Sequence, residues 1–177
     1  MKIDRIFSIR IFDGKKDLRD RILIFSKSAI AKADLLTRID YDAQALSKKL
    51  DQGTVILLML EEQVCAMARY QVHPTRNRPE NIHRKDMAWI SDFAVLPTYW
   101  QIGLARMLLE VIRNYSRYLG KNTLRILAPT RPNELKAFLL HSGFTIGSSQ
   151  PGFPLSFLGL ALRVKKQPPT LTSNKRP

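Results

Sequence analysis

The chain has 177 residues, and Lys+Arg 29 against Asp+Glu 15 gives a formal net charge of +14 with a hydrophobic fraction of 45%, too apolar for a disordered chain. A domain of this length buries roughly 70% of its unfolded surface and folds without disulfides or metal, and the single cysteine, Cys65, excludes an intramolecular disulfide and fits a reducing cytoplasm. The longest apolar run, Val55 to Leu60, falls far short of the ~20 residues of a membrane span, no signal-peptide core is present, and the charge disfavours cationic small molecules as ligands.

Residues 3–12 (IDRIFSIRIF) are rich in Ile and Phe and read as a first strand, ended by Asp13-Gly14. Leu18, Ile22, Phe25 and Ala29 recur at helical spacing and predict a helix over 16–32. A second short helix is expected over 42–51, closed by Gly53. The apolar runs 54–60 (TVILLML) and 64–72 (VCAMARYQV) are separated only by Glu61, Glu62 and Gln63, so they form a hairpin. The polar, proline-containing stretch 73–86 reads as a loop and 87–95 (MAWISDFAV) as a central strand that breaks at Pro97. Residues 103–119 carry the clearest helical pattern, with Leu104, Met107, Leu108, Val111, Ile112, Tyr115 and Leu119 on one face and Gly120 as terminator. Residues 123–128 (TLRILA) predict a strand, and 133–141 a helix entered after Pro132 and ended near Gly143. Two late strands follow, 144–147 and 157–164, around a turn containing Pro and Gly. Residues 167–177 have almost no apolar content and are expected to be a disordered basic tail, which leaves one domain over 1–166.

The order β-α-α-β-β-β-α-β-α-β-β describes a mixed α/β sheet. Its strand–helix–strand unit at 87–128 implies a right-handed parallel crossover at the centre, between antiparallel hairpins. Five of the positive charges, Arg163, Lys165, Lys166, Lys175 and Arg176, cluster near the C-terminus with no acid among them. The remaining excess still attracts anions, so an anionic partner such as RNA or an acidic protein fits this chain. The chain is expected to be cytoplasmic, off the membrane, and a monomer or homodimer.

Three segments, in this order, carry a resemblance. "DFAVLP" (92–97) resembles a central strand ending in Val and Pro. "WQIGLA" (100–105) resembles a pyrophosphate loop of the form Arg/Gln-x-x-Gly-x-Gly/Ala. "NELKAFLLHSGF" (133–144) resembles a late helix ending in Phe-Tyr-x-x-x-Gly-Phe. Together they resemble the GNAT superfamily of acyl-CoA N-acyltransferases, over roughly residues 3 to 165. Trp100 departs from the usual Arg or Gln, and Leu139 from the frequent Tyr that protonates the departing thiolate of CoA.

The resemblance implies acetyl-CoA as acyl donor. A helix amino end offers unpaired N–H groups and a partial positive charge to a diphosphate. The backbone from Gln101 through Ile102, Gly103, Leu104 and Ala105 to Arg106 would then form the cradle, with Gly103 and the small Ala105 keeping side chains away and Arg106 adding charge. The same stretch also suits an ordinary strand-to-helix loop. The backbone of Ala94 and Val95 would pair with the pantetheine arm, a nearby N–H would stabilise the oxyanion, and Asn133 stands one residue from the family's usual Asn.

Amine acylation needs a base. Asp92 lies just ahead of "FAV", on one strand face with Ala94, and Ser91 on the other face would orient a water. An ion pair or hydrogen bond at the sheet surface is the other reading of Asp92. His73, His83 and His141 read as surface residues, although His83 could reach the site, and no metal-ligand spacing exists.

The leading expectation is an acetyl-CoA-dependent N-acetyltransferase, with an amine on a protein, peptide or RNA-associated acceptor. A GNAT-like CoA-binding regulatory module that has lost chemistry is the alternative, motivated by Leu139 and the basic tail. A nucleic-acid-binding protein is a third, although the chain has no RNA or DNA motif and does not interleave its aromatic and basic residues.

Overall fold

The computed structural model describes residues 6–30, 43–72, 86–129, 134–147 and 155–162. Residues 73–85 of the loop expected over 73–86, with His73 and His83, lie outside them, as do Asn133 and the tail over 167–177. In chain order the elements are β1 (Phe7–Ile11), α1 (Lys16–Ile30), α2 (Ala43–Lys49), β2 (Thr54–Leu60), β3 (Gln63–Gln71), β4 (Met87–Val95), a 3-10 turn (Pro97–Ile102), α3 (Leu104–Tyr118), β5 (Thr123–Pro129), α4 (Glu134–His141), β6 (Thr145–Ile146) and β7 (Leu155–Ala161). The strands form one mixed sheet in the order β1-β2-β3-β4-β5-β7-β6. Among the described strands only β4 and β5 run parallel, joined across α3, as the crossover expected over 87–128 requires. No helix among the described residues is long and apolar enough to cross a membrane.

The two sheet faces have different coverings. On one, Tyr70 of β3 meets Tyr115 of α3 edge-on at 5.2 Å, and Phe93 of β4 stacks on Phe138 of α4 at 6.1 Å. Arg113 of α3 also donates to the Ser142 carbonyl just past α4, which ties the two helices together. On the other face, Arg69 and Gln71 of β3 reach the carbonyls that follow α2. Arg19 of α1 donates to Ser47 O of α2 at 2.7 Å, so these two helices pack as a pair. Gly53 lies where the chain passes closest to β3: its φ is 122°, and a Cβ there would stand 2.6 Å from Tyr70 O.

Strand β4 is buried along its whole length, as a central strand covered on both faces must be. Helix α3 buries Leu104, Ala105, Leu108, Leu109, Ile112 and Ser116. The buried stripe is rotated from the expected one. Met107 and Leu119 stay exposed, while Ala105 and Leu109 turn inward.

Candidate active site

Two local features open a cleft at the centre of the sheet. Strands β4 and β5 pair only from Met87↔Thr123 to Ile90↔Ile126, whereas β4 keeps its partner β3 through Ala66↔Val95 and β5 keeps β7 through Pro129↔Leu155. Beyond Ile90 and Ile126 the two parallel strands therefore part. A β-bulge sits at the same point. Arg69 opposes Asp92 but Tyr70 opposes Ile90, so Ser91 is the extra residue on β4.

The bulge decides where side chains point. Strict alternation put Ser91 on the face opposite Asp92, but the extra residue breaks it. Ser91 Oγ lies 3.5 Å from Asp92 Oδ2 and donates to Arg69 O at 3.2 Å. Arg69 Nε donates to Asp92 Oδ2 in an ion pair whose residues are 4% and 1% exposed. The Arg69 guanidinium also reaches Gln52 O at 3.3 Å, and Gln71 Nε2 donates to the same carbonyl at 2.9 Å. Asp92 is thus an ion-paired carboxylate, as one reading of the sequence allowed, but within the sheet and not at its surface. Two charges this far from water persist only with this density of partners. Arg69 was not singled out in the sequence. Its signal was there: one charge in the apolar strand VCAMARYQV needs a partner, and Asp92 is the only acid between Met87 and Leu109.

Backbone direction along the free edge of β4 follows from the ladder. Leu96 N–H donates to Cys65 O at 2.9 Å, which makes Leu96–Cys65 a hydrogen-bonded pair. By the two-residue alternation of an antiparallel ladder, Ala94 and Asp92 also turn their backbone groups toward β3, and Phe93 and Val95 turn theirs into the cleft. Val95 O already accepts the Trp100 indole N–H at 2.7 Å. Trp100, at the position of the family's usual Arg or Gln, therefore holds the end of β4 in place.

After Pro97 the chain makes a 3-10 turn that the sequence pattern did not reveal, and it reverses at Gly103, with φ 86° and ψ 8°. A non-glycine residue is strained there, although an added Cβ would meet no atom of the described residues within 4 Å. The α3 ladder begins with Met107 N–H donating to Gly103 O at 3.0 Å, and among the described residues no side chain caps the helix. The N–H groups of Leu104, Ala105 and Arg106 therefore lack intrahelical acceptors, the kind of helix end whose amides and dipole suit an anion. Gln101, Ile102, Gly103 and Arg106 are exposed around it. Ala105 corrects an expectation. Its side chain is buried in the core beside Leu104, so its small size serves the packing of α3 on the sheet and leaves no extra room outside.

Leu139 is fully buried in the same core and turns no group outward. His141 is exposed, with Nδ1 2.7 Å from Ala137 O.

The model of the acetyltransferase (GNAT) family matches residues 24–144. Comparison with curated proteins gives no match. Among solved structures, the chain is similar to the PaiA N-acetyltransferase from Thermoplasma acidophilum in complex with coenzyme A, with a TM-score of 0.66 at 9% identity over 87% of this chain and 99% of that one. It is similar to the ribosomal-protein-S18-alanine N-acetyltransferase from Escherichia coli, with a TM-score of 0.65 at 17% identity over 94% of this chain and 99% of that one. A GNAT family acetyltransferase from Elizabethkingia anophelis with acetyl-CoA bound aligns with a TM-score of 0.62 at 14% identity, covering 90% of this chain and all (100%) of that one. At these identities the solved structures establish a shared fold. The family model spans more than half of the sequence, and the chain belongs to the GNAT family of acetyltransferases.

Proposed function

We propose that this acetyltransferase takes its acetyl group from acetyl-CoA and transfers it to an amine by direct attack on the thioester. Two of the similar structures contain coenzyme A or acetyl-CoA, which supports the donor. The observation that carries the proposal is the parting of β4 from β5 beyond Ile90↔Ile126, beside the uncapped amino end of α3. The diphosphate would lie over the backbone from Gln101 to Arg106, with the Arg106 guanidinium adding charge. Asn133 would be a further contact, on sequence grounds alone. The pantetheine arm would run along the free edge of β4. There the Val95 carbonyl is engaged by Trp100, so the N–H of Val95 and the backbone of Phe93 are the groups left to meet it, with Ala94 turned toward β3. One such N–H would stabilise the tetrahedral oxyanion.

The amine nitrogen bonds to the acetyl carbon, the carbon–sulfur bond breaks, and the thiolate leaves. Asp92, with Ser91 beside it, would accept the ammonium proton directly or through water, and Arg69 would fix the carboxylate. No acid at Leu139 is required for departure, because a thiol with a pKa near ~8.5 leaves tolerably as thiolate. The net charge of +14 supports an acceptor amine on a protein, peptide or RNA-associated molecule over a polycation. The E. coli structure, named for an alanine of a ribosomal protein, supports starting with peptides.

Leu139 favours a second reading, a CoA-binding regulatory module with weak or no chemistry. Release of CoA thiol from acetyl-CoA, measured across a panel of peptide and small amines, separates the two. Amine-dependent release supports the enzyme, and tight acetyl-CoA binding without release from any amine supports the module.

A further inference from the structure

The sheet register places a second polar feature away from the cleft. Gln71, Trp89, Arg125, Gly159 and Thr145 stand side by side across β3, β4, β5, β7 and β6, through the pairs Gln71↔Trp89, Trp89↔Arg125, Arg125↔Gly159 and Thr145↔Gly159. Side chains in such a row share a face. Here it is the α2 face, because Gln71 reaches the Gln52 carbonyl. Gly159 interrupts the row: a Cβ there would meet no atom of the described residues within 4 Å. The result is a trough of about 290 Å³ with Gly159 at its floor, walled by Thr123 and Arg125 on one side and Thr145 and Gly147 on the other.

Arg125 is the only charged residue lining the trough among the described residues. The residue is half-buried, with its guanidinium carbon 5.8 Å from the centre of the Trp89 ring. A ring contact engages the guanidinium face and leaves the in-plane N–H donors free. Among the described residues those donors meet no carboxylate and make no hydrogen bond, in contrast to buried Arg69 and half-buried Arg19, both of which are ion-paired. Arginine withdrawn from water is ordinarily paired, and its planar fork matches an oxyanion. The Thr123 hydroxyl stands on the same wall. The Thr145 hydroxyl donates to Gly159 O at 3.3 Å and so leaves the donor role to Arg125 and Thr123.

We propose that this trough is a binding site for the oxyanionic group, carboxylate or phosphate, of a small molecule, held by the Arg125 fork over Gly159. The site does not depend on the acetyl-CoA reading. It is lined by β5, β6 and β7, and its β5 residues Thr123 and Arg125 belong to the stretch still paired with β4, before the strands separate.

Thermal denaturation of the full chain, titrated with inorganic phosphate or with citrate against chloride at equal ionic strength, tests the proposal. The expected result is a saturable rise in melting temperature with at least one of the two oxyanions, beyond the chloride effect. Arg125→Met and Gly159→Val should each weaken the apparent affinity at least tenfold, and Lys16→Ala, on an exposed helix end, should leave it unchanged. The two titrations distinguish a phosphate ligand from a carboxylate ligand. Gly159→Val fills the trough while keeping the guanidinium, so it decides alone should Arg125→Met fail to fold. No rise beyond chloride in the wild type, or a wild-type titration in either folded variant, overturns the proposal, because the anions then act on the basic surface at large.

Discussion

Arg69 and Asp92 join the residue scale to the rest of the protein, because one ion pair fixes the bulge on β4, the start of the cleft and the loop after α2. Removing either partner leaves a buried charge uncompensated, which costs about 3–5 kcal/mol. Arg69→Met and Asp92→Asn should each lower the urea midpoint accordingly, and the double variant should lose less than the sum of the two. If Asp92 is the base, Asp92→Asn should also reduce kcat by ~10²–10⁴-fold in the folded fraction, with acetyl-CoA affinity little changed. Normal kcat in folded Asp92→Asn would remove it from the chemistry. Leu139→Tyr, which would supply the family's usual phenol, meets a closed core and should destabilise the fold by about 1–3 kcal/mol of overpacking, measured by the same urea titration. Tyr70 supplies a pH test. Burial pushes its phenol above the ordinary value of 10.0, despite the opposing effect of nearby Ser116. A raised folded-state value contributes stability that is fully present below about pH 10 and is lost as pH climbs past it. Wild type should therefore lose urea resistance above pH 10 more steeply than Tyr70→Phe. Asp92 and Arg69 were each visible in the sequence as a lone charge in an apolar strand, but their pairing was not. The two are 23 residues apart and meet only through strand register. Ser91 was misplaced for the same reason, since a bulge reverses alternation and leaves no mark in the composition.

At the scale of elements, the turn from β4 into α3 decides whether the amino end of the helix is accessible. Its geometry rests on Gly103 at φ 86°. Gly103→Val should cost about 1–3 kcal/mol of backbone strain and disturb the turn that presents the uncapped amides. Urea titration should read the stability loss, and acetyl-CoA should bind the variant far more weakly. Most of the elements were legible because their hydrophobic periods were clean. Strands 54–60 and 87–95 and the body of α3 fall where the periods put them. The 3-10 turn was not legible, since PTYWQI has no period of its own, and Pro97 announced only that the strand ended. Ala105 looked like a ligand-facing small residue, but rotation of the buried stripe turned it inward.

For the whole molecule, the mixed sheet gives, among the described residues, one place where parallel strands adjoin and can part, and the GNAT family is built around such a sheet. The order of elements and the three spaced motifs made the family recognisable in the sequence. The trough at Gly159 was invisible by the same logic, because it is made by residues of three strands that only the register brings together. The central claim is that acetyl-CoA lies along β4 with its diphosphate on α3, and titration of wild type and Gly103→Val with acetyl-CoA, followed by melting temperature, tests it most directly. A ligand bound only to the folded state at a hundred times its Kd stabilises it by ~2.7 kcal/mol. The expected result is a clear saturable rise in the wild type that is largely lost in Gly103→Val. No rise in the wild type, or equal rises in both, would contradict it.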